Sequence, residues 1–346
     1  MSAKPIPLPL QYRQLSIVKE ADNPQQQIKF VNPNSDNFER NILNAARLVE
    51  EKGLQMPEKD LLKGSHAVIV GSGPSLSDPK VIEAVRQRQK DGYIIFATKA
   101  AIQYLEDQGI HPEFGVSMDP GAHIACPAKI SKVTGVIHII ASSSDPRLFE
   151  YLMSDEEGEP AEVWVFHSAC GLNRVIDPTE YEALPTDKQA LFHPFNIVDE
   201  EGNPIILQDG TEKTRYGMSE VDLCEALFPE GTIMGGGFNV VNRALSLALF
   251  MGCEKITLAG TDCGWRREAS FYVNGNNNRP GVDMSDNGIV DGVPWNTRPD
   301  MLASGVALAR VAQSMGDNME ILGDTLPASL RSKDETFLRQ CAEFGK

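Results

Sequence analysis

The chain has 346 residues, and its 32 Lys and Arg against 48 Asp and Glu give a net charge of −16. Hydrophobic residues make up 41% and charged residues 23%, an ordinary globular composition. So acidic a chain argues against nucleic acid and anionic membrane surfaces as partners, because both require basic patches. A nucleotide ligand remains compatible with this charge if its site is local, built from backbone N–H groups and a few cations.

Targeting and redox signals are weak in this sequence. No apolar run approaches the ~18 residues of a transmembrane helix, and the N-terminal MSAKPIPLPLQYRQ has no charged start followed by an apolar stretch. The six cysteines are scattered without a CxxC pair, and the six histidines show no metal-ligand spacing. We therefore expect a cytoplasmic protein without a membrane span, a disulfide framework or a zinc site.

Residues 1–60 are predicted to form an N-terminal arm followed by a helix. Pro, Gln and Asn are frequent in the first 40 residues, which is typical of irregular chain. Residues 37–53 carry apolar residues at helical spacing, and Gly53 suits the position after the last helical turn.

Residues 61–346 are predicted to form one α/β domain. Short apolar runs such as HAVIV and YIIFAT alternate with helical patterns, which predicts a Rossmann-like, doubly wound, mainly parallel sheet. Two stretches interrupt it. The insert at about 171–232 contains NIVDEEGNPIILQDGTE, which reads as a β-hairpin with an EGNP turn. The Gly- and Asn-rich stretch at about 264–300 is predicted to be a lid loop.

A glycine loop, GSGPSL, follows the first predicted strand. In open α/β sheets ligands bind beyond the carboxyl ends of the strands. Gly71 and Gly73 have no Cβ, so the backbone can approach a ligand closely, and the following helix start suits an anion. The loop is neither GxGxxG nor a P-loop, and a plain strand–helix turn is the alternative.

A second glycine run, Gly235–Gly237, precedes an apolar helix. A phosphate cradle is the functional interpretation, and close helix–strand packing is the alternative. Other candidates lie near strand ends, near these glycines or in the predicted lid. The candidate nucleotide-binding residues are Gly71, Ser72, Gly73, Pro74, Ser75, Thr98, Lys99, Gly235, Gly236, Gly237, Phe238 and Asn239, and the candidate substrate or lid residues are Arg266, Arg267 and Trp295.

Asp119 and Asp262 each end an apolar run and are the candidate catalytic residues. A carboxylate in this position can bind Mg²⁺, accept a sugar hydroxyl or act as a general base. The alternative is an Asx turn or a helix cap. Asp145, in SSSDP, has the same form, and the cap is favoured there.

These motifs, in this order, resemble the MptE-like family, which includes archaeal 6-hydroxymethylpterin diphosphokinase and the core of the Maf flagellin glycosyltransferases. The resemblance covers about residues 37–325. The same core is similar to bacterial CMP-sialic-acid sialyltransferases of the GNGPSL type. The motifs that carry it are GSGPSL at 71–76, IHPEFGVSMDP at 110–120, GGGFNVVNRALSLALFMGCEKITLAGTDCG at 235–264 and IVDGVPWNTRPDMLASGVALARVA at 289–312.

The resemblance implies a nucleotide-dependent transferase whose two glycine segments contact the nucleotide. One branch transfers a nonulosonic-acid type of sugar from a CMP-activated donor to a glycan or protein. The other transfers diphosphate from ATP to a pterin, with Mg²⁺ on Asp119, on Asp262 or on both, and with Lys99 or the lid arginines neutralising charge. The sialyltransferases use a His downstream of the GxD motif, whereas the last histidine here is His193.

The size of the insert suits a large acceptor, so sugar transfer is the preferred interpretation. The diphosphokinase is the first alternative, and a non-catalytic nucleotide-binding accessory protein is the second.

Overall fold

The computed structural model describes residues 35–121, 130–156, 158–168, 172–196, 205–228, 231, 233–234, 239–264, 287–290, 293–297 and 299–344. Its strands are β1 (His66–Val70), β2 (Ile94–Thr98), β3 (Phe114–Ser117), β4 (Ile137–Ala141), β5 (Glu162–Ser168), β6 (Leu172–Ile176), β7 (His193–Asn196), β8 (Thr214–Ser219), β9 (Ile233–Met234), β10 (Lys255–Ala259), β11 (Asn287–Val290), β12 (Val293–Asn296) and β13 (Met319–Ile321).

Helices occupy the connections between most of the parallel strands. The α-helices are α1 (Ser35–Lys52), α2 (Pro79–Lys90), α3 (Ala100–Asp107), α4 (Pro146–Met153), α5 (Pro178–Glu182), α6 (Thr186–Gln189), α7 (Glu220–Leu227), α8 (Val240–Phe250), α9 (Pro299–Met315), α10 (Leu326–Arg331) and α11 (Glu335–Phe344). A short 3₁₀ turn, Pro74–Ser77, lies between β1 and α2. No helix in these described ranges is long and apolar enough to cross a membrane.

The central sheet has eight strands in the order β13-β10-β1-β2-β3-β4-β5-β9, all paired in parallel. The predicted α/β class and the parallel sheet are therefore confirmed. From β1 the chain builds outward in one direction through β5 and β9, and then returns to add β10 and β13 on the other side of β1. This reversal places the switch point of the topology between β1 and β10, where such folds bind ligands.

Both faces of the sheet are covered, because successive side chains of a strand point to opposite sides. On β1, Val68 and Val70 belong to one buried cluster, with α1 to α4, whereas Ala67 and Ile69 belong to the other, with α8 and α9. The apolar stripe predicted on the N-terminal helix packs into the first cluster, and Gly53 ends that helix with a φ of +65°. Continuous apolar runs such as HAVIV are therefore strands buried on both faces.

The insert forms a small antiparallel sheet in the order β6-β8-β7, and α1 packs against its β6 and α7. The predicted hairpin is present but extends beyond the predicted segment, because β7 pairs with Thr214–Ser219. The described part of IILQDGTE instead closes a tight turn, with Ile206 bridged to Glu212. The predicted EGNP turn at 201–204 lies outside the described residues.

The predicted lid lies mostly outside the described residues, and its described part is more regular than a lid loop. β11 and β12 pair as an antiparallel hairpin. Trp295 of β12 is 2% exposed and packs with Val306, Leu326 and Leu338 from the C-terminal helices. The candidate substrate or lid residue Trp295 is thus buried, and its ring joins a third apolar cluster.

His138 of β4 is a buried imidazole in the core. It is fully buried, and neither ring nitrogen has a hydrogen-bond partner among the described residues. Gly115 on the neighbouring strand makes room for it, because a Cβ there would lie 3.1 Å from His138 Nδ1. Burial lowers the pKa of His138 to about 4 from an ordinary value of 6.5. The folded protein therefore holds this ring neutral.

We expect His138 to make the protein acid-sensitive. In the unfolded chain this imidazole is protonated below about pH 6.5, whereas in the folded chain it is protonated only below about pH 4. The free energy of unfolding therefore decreases as the pH falls from 6.5 to 4. Between pH 7 and pH 5 the loss from this residue is about 2 kcal/mol. In urea titrations at the two pH values, His138→Leu should lose about 2 kcal/mol less than the parent protein. His66→Gln, at an exposed position, is the control, and an equal loss in both variants contradicts the assignment.

Candidate functional site

The loops after β1 and β10 are in direct backbone contact at the switch point. Gly71 N donates to Ala259 O and Gly73 N donates to Gly260 O, both at 2.8 Å. A Cβ at Gly71 would lie well inside the van der Waals radius of Gly260 O, and one at Gly73 would lie 2.7 Å from that oxygen. The glycines of GSGPSL are therefore required first for the contact between the two loops. A ligand can contact only those atoms of the loop that are not used in this contact.

Asp262 ties the two loops together through its carboxylate. It is 6% exposed, and it accepts hydrogen bonds from Ser75 N at 3.2 Å and from Ser75 Oγ at 2.8 Å. A Cβ at Gly73 would overlap Asp262 Oδ2. Asp262 thus occupies backbone and hydroxyl donors that the sequence had suggested for a phosphate. Ser72 N–H makes no hydrogen bond within the described residues and faces no such competition.

The electrostatics of Asp262 follow from this position. Burial raises the pKa of the carboxyl to about 7, against the Ser75 hydrogen bonds, which lower it. The charge of Asp324 raises it further. A carboxyl with a pKa near 7 beside a cleft can exchange a proton at neutral pH, which is the property required of an acid–base residue.

Lys99 and Asp119 form a second cluster, over β2 and β3. Lys99 Nζ lies 3.1 Å from Asp119 Oδ2, and Asp119 Oδ1 accepts from Gly121 N at 3.0 Å. The side chains are 29% and 21% exposed, so the pair is accessible. Thr98, immediately before, is buried and donates to Val70 O at 3.2 Å, which joins the ends of β1 and β2. Its hydroxyl holds the strands and is not directed to solvent.

Backbone strain is concentrated beside these two clusters. Lys99 has a φ of +46° and a ψ of −116°, and Cys263 has a φ of +52°. The third non-glycine residue with positive φ in the described ranges is Asp60. Such conformations cost about 1–3 kcal/mol each, and they persist where the surrounding structure holds them. Strain that directly adjoins both candidate carboxylates indicates that their positions are under functional constraint.

The two carboxylates do not share one site for a directly bound ion. They follow β3 and β10, which are three strand spacings apart, or about 14 Å. Asp119 is already paired with Lys99, and Asp262 already accepts hydrogen bonds from Ser75. Among the described residues no group of three or more His, Cys, Asp or Glu could hold a metal ion. No metal-dependent role is therefore derived for them from the structure.

The helix start after the second glycine run is described only in part. Asn239 caps α8, because its side chain accepts from Asn242 N at 3.0 Å, and its amide nitrogen lies 3.6 Å from Cys263 Sγ. The cap therefore borders the Asp262 loop, as a nucleotide site shared by both segments requires. The predicted residues Gly235, Gly236, Gly237, Phe238, Arg266 and Arg267 lie outside the described residues.

Sequence reasoning missed two arginines and an asparagine near the end of β4. Asp145 caps α4 as predicted, but its carboxylate is also held by Arg147, at 2.9 Å, and by Arg40 of α1, at 3.5 Å. Asn41 donates to Ser143 O at 2.8 Å. The SSSDPR sequence places Arg147 beside its acid, whereas Arg40 is 105 residues away and carries no local signal.

We expect Asp262→Asn to change how stability depends on pH. The folded carboxyl keeps its proton up to about pH 7, whereas the unfolded one loses it near 3.8, so this contribution is fully present below pH 3.8 and is lost as the pH rises through 7. Asparagine has no such proton, so the free energy of unfolding of Asp262→Asn, relative to the parent protein, should rise between pH 5 and pH 8. Urea titrations across that range measure the slope. Asp91→Asn, at an exposed position, should give no slope, and a flat difference for Asp262→Asn contradicts the raised pKa.

We expect Gly73→Ala to disrupt the loop contact. The new methyl would overlap the Asp262 carboxylate and crowd Gly260 O, and overpacking of this kind costs about 1–3 kcal/mol. Gly305→Ala in α9 is the matched control, because the nearest atom to its new Cβ is Cys263 Cβ at 3.3 Å and alanine favours a helix interior. Denaturant melts should show a loss only for Gly73→Ala. Equal stability of the two variants would show that the loops do not pack as described.

Comparison with known proteins gives one family match. Residues 39–156 match the family model described as 6-hydroxymethylpterin diphosphokinase MptE-like. No curated protein matches the chain.

Two solved structures are similar at low identity. The Maf glycosyltransferase from Magnetospirillum magneticum AMB-1 is 18% identical, with a TM-score of 0.45, over 93% of this chain and 43% of that one. A mammalian sialyltransferase, in complex with Gal-beta-1-3GalNAc-ortho-nitrophenol, is 10% identical, with a TM-score of 0.33, over 91% of this chain and 86% of that one. The chain thus spans less than half the length of the Maf structure. The predicted family resemblance is confirmed over residues 39–156 of the predicted 37–325, and this matched stretch carries the glycine loop, Lys99, Asp119 and Asp145.

Proposed function

We propose that the protein is a nucleotide-dependent transferase that moves a sugar of the nonulosonic-acid type from a CMP-activated donor to a glycan or protein acceptor. The observation that carries the nucleotide site is the glycine loop at the β1/β10 switch point, flanked by strained Lys99 and Cys263. The family match covers this loop. The Ser72 N–H, the Lys99 ammonium and the start of α8 are the groups that would receive the donor phosphate.

The two carboxylates suit different roles because their surroundings differ. Asp262 lies under the glycine loop, on the side of the leaving phosphate, and it positions Ser75. Asp119 follows β3, away from that loop and nearer the insert. In transfer, the acceptor oxygen bonds to the anomeric carbon, the bond from that carbon to the phosphate oxygen breaks, and CMP leaves. The acceptor proton passes to the Asp119 carboxylate, which Lys99 orients.

The insert supports a large acceptor. It packs on α1, and α1 in turn contacts the loops after β3 and β4 through Asn41. The separate sheet of the insert therefore lies beside α1, where it would offer additional surface to a large acceptor. This is the reason for preferring sugar transfer.

The second candidate is ATP-dependent diphosphate transfer to a hydroxymethylpterin. The description of the matched family favours it. This chemistry uses Mg²⁺ to bridge and neutralise the phosphates, with Asp119 or Asp262 as a candidate ligand. Because the two carboxylates follow strands that are three spacings apart, a single ion bound directly would take only one of them.

A thermal-shift panel separates these functions. Stabilisation by CMP in EDTA, and not by AMP, supports sugar transfer. Stabilisation by ATP that requires Mg²⁺ and increases with a hydroxymethylpterin supports the diphosphokinase. A flat response to all nucleotides contradicts both enzymes and the non-catalytic nucleotide-binding alternative.

We expect Asp119→Asn to lower turnover by about 10²–10⁴-fold, because it removes the proton acceptor, without weakening nucleotide binding, because Lys99 keeps its charge. Release of CMP from a CMP-activated acidic sugar measures turnover, and calorimetric titration with CMP measures affinity. Asp107→Asn, exposed at the end of α3, is the matched control. Full activity of Asp119→Asn would remove Asp119 from the mechanism.

A further inference from the structure

Arg40 and Arg147 converge on Asp145 at the carboxyl end of β4. Arg147 donates to the carboxylate through Nε at 2.9 Å and through Nη2 at 3.2 Å, and Arg40 Nη2 lies 3.5 Å away. Burial alone would raise the pKa of Asp145, but the hydrogen bonds and charges of the two arginines outweigh it and hold the pKa below its ordinary value. Two cations therefore meet one carboxyl group, whose ionised form they favour.

The acid and the cations of this cluster are exposed very unequally. The Asp145 side chain is 4% exposed, whereas those of Arg40 and Arg147 are 57% and 63% exposed. The two guanidiniums therefore face solvent, although the chain as a whole is strongly acidic and the charge of Glu150 also acts on Arg147. Each guanidinium has five N–H donors, and only some of them are used within the described residues.

The cluster lies on the edge of the sheet that carries the proposed transfer site. Asn41, next to Arg40, is fully buried and donates to Ser143 O at 2.8 Å and to Pro120 O at 3.4 Å. Pro120 directly follows Asp119, the proposed proton acceptor. The cluster is three strand spacings, or about 14 Å, from β1, so it is separate from the glycine loop.

A second, independent observation marks the same loop. The hydroxyls of Ser143 and Ser144 are buried, the residues being 1% and 0% exposed, and they have no hydrogen-bond partner among the described residues. Buried hydroxyls without partners are uncommon, because each loses its hydrogen bonds to water. These serines directly precede Asp145, which both arginines contact, and an arginine can present a fork to a planar or tetrahedral oxyanion.

We propose that Arg40 and Arg147 form a second anion subsite, which binds a carboxylate or phosphate group of the second substrate beside Asp119. The assignment of this anion to the second substrate rests on the proposed function, whereas binding of the anion itself does not depend on a nucleotide. The carboxylate would belong to an acidic sugar, and the phosphate to a phosphorylated acceptor.

Binding of simple probes to the full chain tests this inference. With CMP present to fill the nucleotide site, inorganic phosphate is titrated by ³¹P NMR. N-acetylneuraminate and its uncharged relative N-acetylmannosamine are compared by calorimetry. Binding of phosphate supports a phosphate-bearing substrate, and binding of the sugar acid but not of the neutral sugar supports a carboxylate. If neither anion binds, the proposal is wrong.

Substitutions of the arginines show whether the anion binds at this cluster. Arg40→Gln and Arg147→Gln should each weaken the anion at least tenfold, and the affinity of the parent protein should fall as KCl is raised. Arg47→Gln, exposed on the same helix and paired with Glu51, should have no effect. Arg147→Lys keeps a positive charge near Asp145 and tests whether misfolding explains a loss of binding. This variant should retain the fold but bind the anion more weakly, because lysine lacks the planar pair of N–H donors of a guanidinium.

Unchanged anion affinity in both Arg→Gln variants overturns the subsite. The proposed function can fail separately, since anion binding that depends on Arg40 and Arg147 in a chain that binds neither CMP nor ATP leaves the subsite in place.

Discussion

The contact between the β1 and β10 loops is the constraint on which the candidate site depends. Ser75 and Asp262 are 187 residues apart, and their hydrogen bonds fix both loops at the point where the sheet reverses its order. Gly71 and Gly73 are required because any side chain there would meet Gly260 or Asp262. The shape of the cleft is therefore determined by the packing of two backbones, and any ligand must fit what this packing leaves.

This arrangement limits the number of backbone donors that the glycine loop can offer to a ligand. From sequence, GSGPSL looks like a set of free backbone donors for a phosphate. In the structure most of these donors are already engaged, and an internal carboxylate takes those of Ser75. In the proposed function, a phosphate would be bound by the groups that remain, which are Ser72, Lys99 and the start of α8. The raised pKa of Asp262 would reduce the negative charge that such an anion meets.

The sheet was predictable because its inner strands are short apolar runs that end at, or just before, a small or polar residue. The alternation of such runs with helices admits few arrangements. Asp145 was predictable as a cap because Asp-Pro before an apolar helix is a local pattern. Its partnership with Arg40 was not predictable, because α1 reaches β4 only through tertiary packing. The burial of Trp295 was not predictable, because its Gly- and Asn-rich surroundings give no local sign of the apolar helices that pack against it.

The two loops of the candidate site come from distant parts of the chain. The MptE-like region ends at residue 156, whereas β10, β13 and Asp262 come a hundred residues later and complete the sheet beside β1. A fragment limited to the matched region would lack one neighbour of its first strand and the carboxylate that fixes its glycine loop. Contacts so distant along the chain carry a cost in loop-closure entropy. The contact between the two loops therefore requires both halves of the chain.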